Sequence, residues 1–348
     1  MQSEPGIMRK LQQLLEAAQI QLPLSQAEII PLTEGGSDRL FYRIKHSDSS
    51  VVVMASRSPR FDIASYISVG TFLFSHGIGV PEIIACDADR RMVLLEDLGD
   101  ESLYAVLKKP LSGEEKTARY QKVLVSLAEI QMKTAGSLES CAYLKGRNFG
   151  YEALRWETDY FTECFLKRFC SMQIEAEEEL EREFHLLSAA LADEPKYFMH
   201  RDFQSQNIYF KNGRVRIIDF QTATRGLLQY DAVSLLKDAY YVLNEKDRNE
   251  LLNFYIETLT TAWGMEVDRE QFIQTFHCAG LQRNMQALGA FAYLTMDKGK
   301  TAFAAHMPDA LLYLKEALQG VDRFPVLKEL VQQAEEIVKL KETPSTKP

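Results

Sequence analysis

The chain has 348 residues, 46% of them hydrophobic and 10% aromatic, with 40 Lys and Arg against 49 Asp and Glu for a formal charge of −9. That apolar content excludes a disordered chain, and the negative balance argues against a nucleic-acid partner, whose phosphates demand a cationic surface. The length suits two domains, or one domain with two lobes.

The opening Met1–Lys10 lacks the basic, apolar, small-residue order of a secretory signal, and no apolar run approaches the ~20 residues of a membrane helix. A cytoplasmic protein with no membrane contact and no obligate protein partner is expected. The cysteines Cys86, Cys141, Cys164, Cys170 and Cys278 are odd in number and scattered, so they read as reduced and packed.

A leading amphipathic helix is predicted over residues 4–20 from Leu11, Leu14, Leu15 and Ala18. Short β-rich runs follow at Ile29–Leu32, Leu40–Ile44 and Val51–Met54, parted by Thr33–Asp38 and His46–Ser50, the pattern of an antiparallel meander. A helix over 63–76 stops at Gly77, Gly79 and Pro81. Strands at Glu82–Cys86 and Met92–Leu95 then complete a small sheet. Beyond Leu103 the periodicity is helical, with helices expected at 115–133, 150–170, 174–192, 232–243, 246–263, 268–292, 307–319 and 324–341. One β segment, Ile208–Phe220, interrupts them. The tail Glu342–Pro348 is polar and bears two prolines.

That β segment carries the chemistry. His200-Arg201-Asp202-Phe203-Gln204-Ser205-Gln206-Asn207 precedes it and Ile217-Ile218-Asp219-Phe220 ends it, with Asn212-Gly213 between. Asn-Gly predicts a two-residue type I′ turn; Lys211 then pairs with Arg214, and Asn207 lies opposite Ile218, next to Asp219. Asp202 can fold back over the same end. Two carboxylates and a carboxamide at one spot offer oxygen ligands for a hard cation such as Mg²⁺, with one carboxylate left as a base. Protein kinases use the same order of Asp, Asn and metal-binding Asp. Read one at a time, the three residues are equally turn-formers that bond their own backbone.

These motifs, with Gln221-Thr222-Ala223, Arg225-Gly226, Tyr230-Asp231 and the stretch Leu281–Leu294, resemble the aminoglycoside phosphotransferase and choline kinase-like superfamily. They look most like its bacterial N-acetylmuramate/N-acetylglucosamine anomeric kinases. The resemblance runs from about Ile29 to Val338. It implies an α+β, two-lobed protein-kinase-like fold, with a small antiparallel β N-lobe for the nucleotide at 25–98 and a mainly helical C-lobe at 99–341; the leading helix at 1–24 and the polar tail at 342–348 flank it. It further implies ATP and Mg²⁺ as cofactors, Asp202 as catalytic base toward an acceptor hydroxyl, and Asn207 and Asp219 as Mg²⁺ ligands. Asp231 would brace the catalytic loop, and His200 would orient it without acting as a base.

On the donor side, Gly35, Gly36 and Ser37 lie in a loop whose amides could approach phosphates, although an ordinary hairpin turn reads the same way. Glu96, Asp97 and Leu98 resemble the interlobe hinge. The third strand has no Lys where a protein kinase has one, which leaves Arg39, Arg43 and Arg57 as substitute cations; Arg43 is the candidate taken for nucleotide contact. On the acceptor side, Gln204, Gln221, Arg225, Glu157 and Arg283 are candidates. Glu157 is otherwise a solvated residue beside packed Trp156 and Tyr160. Leu281, Met285, Leu288 and Ala292 form a buried stripe, so Arg283 and Asn284 should face either the cleft or solvent. Asp231 begins a helix and suits an N-cap.

The activity these features imply is transfer of the ATP γ-phosphoryl group to a hydroxyl of a small sugar-like acceptor, foremost the anomeric hydroxyl of an N-acetylated amino sugar. An aminoglycoside, choline, homoserine or other metabolite is the alternative acceptor. A nucleotide-binding pseudokinase is the alternative class.

Overall fold

The computed structural model describes residues 5–20, 22–32, 39–47, 49–56, 63–87, 89 and 91–342. The loop holding Gly35, Gly36 and Ser37, the cation Arg57 and the tail beyond 342 lie outside the described residues.

The chain opens with α1 (Pro5–Ala17), β1 (Glu28–Pro31), β2 (Arg39–His46), β3 (Ser49–Ser56), α2 (Ile63–Ser75), β4 (Ile83–Asp87) and β5 (Met92–Glu96). The strands form one antiparallel sheet in the order β1-β2-β3-β5-β4. Successive side chains on a strand point to opposite faces, and the two faces meet different partners. Ile44, Val53, Ala55, Met92 and Leu94 pack under Leu11, Leu14 and Leu15 of α1. Val52, Met54, Val93 and Leu95 pack with Tyr66, Val69 and Leu73 of α2 in the main core. The amphipathic stripe read from α1 is thus the cover of the outer sheet face, and each buried leucine there contributes ~1.5–3 kcal/mol. Helix α2 ends where Gly77 takes a φ of +73°, a conformation that costs a side-chain-bearing residue more.

The remainder comprises α3 (Leu103–Leu107), α4 (Gly113–Thr134), α5 (Tyr151–Tyr160), α6 (Glu177–Ala192), β6 (Tyr197–Met199), β7 (Ile208–Lys211), β8 (Arg214–Ile217), β9 (Thr224–Gly226), α7 (Leu228–Leu236), α8 (Glu245–Thr261), α9 (Arg269–Met296), α10 (Met307–Gln319) and α11 (Pro325–Glu342). Among the described residues, no helix is long and apolar enough to cross a membrane. Ser112 and Glu115 form a capping box that starts α4. The long α9 runs through the centre and is buried on every side over most of 279–289.

Four expectations need correcting. The predicted helix 150–170 is α5 followed by a π-helical stretch, Phe161–Phe169. At that junction Gly289 of α9 comes so close that a Cβ would lie 3.1 Å from the Tyr160 carbonyl oxygen and 3.2 Å from the Phe161 nitrogen. Strands β6 and β9, which pair antiparallel, went unread because three residues are too few for alternation to register. Helix α3, five residues long, escaped for the same reason. The helix expected at 232–243 spans Leu228–Leu236 instead, because Asp238 turns its carboxylate back to the amide of Tyr240 at 2.9 Å.

The two halves meet at a backbone contact. The Ile217 amide of β8 donates to the Gly79 carbonyl at 2.8 Å, and a Cβ on Gly79 would lie 2.2 Å from the Val215 carbonyl oxygen. Beside it, Lys211 of β7 donates to the Asp97 carbonyl at 2.7 Å and pairs with Glu96 at 2.9 Å.

Candidate active site

The hairpin β7–β8 has the register that Asn-Gly predicts, with Lys211 opposite Arg214 and Ile208 opposite Ile217. Asn212 and Gly213 both take positive φ, 53° and 74°, as a type I′ turn requires. At the open end the Ile218 amide donates to the Asn207 carbonyl at 3.0 Å. Asn207 is thereby held one peptide from Asp219.

The loop from His200 to Asn207 is tied down from below. The His200 and Arg201 amides donate to the two carboxylate oxygens of Asp231 at 2.7 and 3.0 Å. Asp231 is fully buried, and burial pushes its carboxyl up to about 7 against the pull of those two amides. It lies in the first turn of α7 rather than capping it, since the helix begins at Leu228 and the carboxylate is spent on the loop. His200 places Nε2 at 3.0 Å from the Ile218 carbonyl, so that nitrogen carries the proton and donates. Burial lowers the pKa of the ring, which keeps it neutral at pH 7. Arg201 takes a φ of +77°, a strained backbone for a side-chain-bearing residue. Further along, the Ser205 amide donates to buried Asp238 at 2.8 Å.

Asp202 stands at the tip, its side chain 36% exposed and 4.0 Å from the Arg283 guanidinium. Its backbone carbonyl accepts a hydrogen bond from the Asn207 side-chain nitrogen at 2.9 Å, which leaves Oδ1 as the Asn207 atom that could meet a cation. Asp219, the residue after Ile218, sits in the left-handed region, φ 67°, with 32% of its side chain exposed. Gln221 Nε2 donates to it at 3.0 Å, and Arg39 of β2 pairs with it. Phe220 packs on Tyr66 of α2, ring centroids 4.7 Å apart.

The residues present fit a divalent cation. An organic cation, Arg39, already rests on the Asp219 carboxylate, and Asn207 is bonded through its backbone carbonyl to the amide of Ile218, the residue before Asp219. Among the described residues no cluster of three His, Cys, Asp or Glu forms a metal cage. One carboxylate and one carboxamide suit Mg²⁺, which completes its shell with phosphates and water.

Other expected residues fall elsewhere. Arg43 forms an ion pair with Asp97, Nε 2.7 Å from the carboxylate, and donates Nη1 to Asp100 at 2.7 Å and Nη2 to the Gly99 carbonyl at 2.9 Å. It braces the hinge and is spent there, about 13 Å along the strand from Arg39. Asp97 is pushed up by burial, but the Gly99 amide, Ser50 and Arg43 outweigh that and hold it below the usual range. Glu96 is likewise clasped by Lys211 and Arg216, and Leu98 is buried beside it. Arg225 is turned away from the cleft: Nε donates to the Arg147 carbonyl at 2.8 Å and the guanidinium pairs with Glu139.

Glu157, read as solvated or acceptor-facing, is fully buried. It accepts from Tyr230 at 3.1 Å, Gln282 at 3.0 Å and Arg201 at 3.2 Å, underneath the loop. Arg283 faces the catalytic loop, giving Nε to Ser234 at 3.0 Å and Nη2 to Gln204 at 3.2 Å. Its neighbour Asn284 is buried and bonds the Gly280 carbonyl at 2.8 Å; neither side chain is solvated, because α9 has no solvent face there. Asp238, Gln282 and the Arg39–Asp219 pairing had no signal in the periodicity.

The arrangement can orient a hydroxyl at Asp202 and hold a cation at Asp219 and Asn207. Two curated relatives resemble the chain over most of its length. The N-acetylmuramate/N-acetylglucosamine kinase of Pseudomonas aeruginosa is 29% identical over 87% of this chain and 87% of the relative. The enzyme of that name from Neisseria meningitidis is 29% identical over 80% and 81%. Among solved structures, ADP-bound aminoglycoside phosphotransferase APH(2'')-Ib superposes with a TM-score of 0.62 at 17% identity, covering 97% of this chain and 99% of that one. The model of the phosphotransferase enzyme family matches residues 28–270. With that match spanning more than half its length, the chain belongs to the phosphotransferase enzyme family, on a protein-kinase-like fold.

Proposed function

We propose that this phosphotransferase moves the γ-phosphoryl group of ATP to the anomeric hydroxyl of N-acetylmuramate or N-acetylglucosamine. The observation that carries the reading is the linkage of Asp202, Asn207 and Ile218-Asp219 at the open end of the hairpin, through the Asn207 side chain on the Asp202 carbonyl and the Ile218 amide on the Asn207 carbonyl, in a chain whose curated relatives bear that activity in their names over most of both lengths.

Asp202 orients the acceptor hydroxyl and takes its proton as the new bond to phosphorus forms. Arg283, 4.0 Å away, helps to hold that carboxylate in position. Asp219 and the Oδ1 of Asn207 are the residues to hold Mg²⁺, which when bound neutralises charge on the phosphates. Gln204 and Gln221 flank the reacting centre and offer amides to a polyol. Glu96, Asp97 and Leu98 border the adenine side, where the bracing by Arg43 and Lys211 holds the hinge backbone in place. Catalysis on this reading is positioning and electrostatics.

The experiment is a screen of ADP release across N-acetylmuramate, N-acetylglucosamine, amino alcohols and aminoglycosides. The reading expects turnover on the two amino sugars far above the rest. Turnover confined to an aminoglycoside or an amino alcohol would replace the acceptor, and none with any acceptor would reject the activity.

A further inference from the structure

In protein kinases a third-strand Lys contacts the nucleotide phosphates and is held by a Glu of the following helix. Both partners are missing here. The third strand reads Ser-Ser-Val-Val-Val-Met-Ala-Ser, and Met54 is buried in the core. Helix α2, Ile-Ala-Ser-Tyr-Ile-Ser-Val-Gly-Thr-Phe-Leu-Phe-Ser, has no acidic side chain at all. A Lys on that strand would have nothing on α2 to hold it.

The cation is supplied from the neighbouring strand. Phe41 of β2 pairs with Met54, and Arg39 pairs with Ser56, so Arg39 is the diagonal neighbour of Met54 on the same sheet face, within ~7–8 Å. Its side chain, 9% exposed, crosses to the Asp219 carboxylate and passes over the Phe41 ring at 5.7 Å. Arg39 thus offers a cation on the sheet face of Met54, and Asp219 is the carboxylate that pairs with it.

We propose that Arg39 is the residue that binds the nucleotide polyphosphate, and that its pairing with Asp219 is the resting form of that contact. An anion that shares a cation with Asp219 lies one coordination sphere from that carboxylate, where the Arg39 fork already reaches. A guanidinium can engage carboxylate and phosphate oxygens with its separate N–H groups. Tyr66, whose ring packs on Phe220, lies within electrostatic reach of both charges and walls the same spot. This inference rests on the ATP reading above.

The test is calorimetric titration of the full chain with ADP and with adenosine, each with and without Mg²⁺, comparing wild type, Arg39→Gln and Arg39→Lys. Asp219 is a third exposed, so solvent can take over its pairing and both variants should fold; thermal melts check this. Expected is a loss of about tenfold or more in ADP affinity for Arg39→Gln, in the metal-free arm as well. Substantial recovery is expected in Arg39→Lys, with adenosine affinity unchanged throughout. Unchanged ADP affinity in Arg39→Gln would overturn the inference, as would an equal loss for ADP and adenosine, the mark of a merely structural pair. A wild type that binds neither ligand would reject the ATP reading itself.

Discussion

Glu157→Gln tests whether the buried network beneath the catalytic loop is energetic as well as geometric. The Glu157 carboxylate is fully enclosed and receives donors from three elements: Arg201 on one oxygen, Gln282 on the other and Tyr230 on both. A glutamine amide has one oxygen and one NH₂, so whichever way it turns a donor meets a donor. An unsatisfied buried group costs ~1–3 kcal/mol, and breaking a buried ion pair costs ~3–5 kcal/mol. Two features reduce the upper figure. The Arg201 side chain is 31% exposed, so water compensates part of its lost partner, and burial already raises the Glu157 pKa, so neutralising it recovers some desolvation. A loss of about 2–3 kcal/mol follows, or about 5 °C in Tm at ~2 °C per kcal/mol for a chain of this size. Because Arg201 precedes Asp202 and holds a strained φ, kcat should fall as well while the KM for ATP stays near its wild-type value. Thermal melts with steady-state kinetics read both quantities. A Tm within about 1 °C of wild type would refute the claim that the pair contributes to stability.

Asp202→Ala should lower kcat by about 10²–10⁴ with an unchanged melting curve, since its side chain is 36% exposed; a matching loss of stability would recast it as structural. Gly79→Ala should destabilise by ~1–3 kcal/mol, because the added methyl meets the Val215 carbonyl at 2.2 Å; urea unfolding would show this, and a neutral result would mean that the junction yields. Asp231 titrates at about 7 in the fold and near ~4 in an unfolded chain. Between those values the native state holds the extra proton, so this contribution is complete below pH ~4 and is lost as pH rises through about 7. The stability difference between wild type and Asp231→Asn should therefore slope across that window, and a flat difference would contradict it.

What the sequence made legible was local. Asn212-Gly213 specified its turn and register, the short β-rich runs marked β2, β3 and β5, and Gly77 marked a helix end. The placement of Asn207 and Asp219 at one end of the hairpin followed from that register. What escaped depends on contacts between distant residues. Arg39 meets Asp219 across 180 positions, and Glu157 meets Gln282 across 125; no periodicity links such positions. Arg283 was assigned by a one-sided stripe, a rule that fails for a helix enclosed all round. Arg43 and Arg225 had suitable charge, but nearer carboxylates and carbonyls claimed them.

Phosphorus NMR of the purified protein with ATP, Mg²⁺ and N-acetylmuramate reads phosphoryl transfer to the anomeric hydroxyl at the product itself. Expected is a new sugar-phosphate resonance coupled to the anomeric proton, growing as ADP appears, and absent with Asp202→Ala. ATP left unconsumed, or phosphate coupled to a proton at any other carbon, would contradict it.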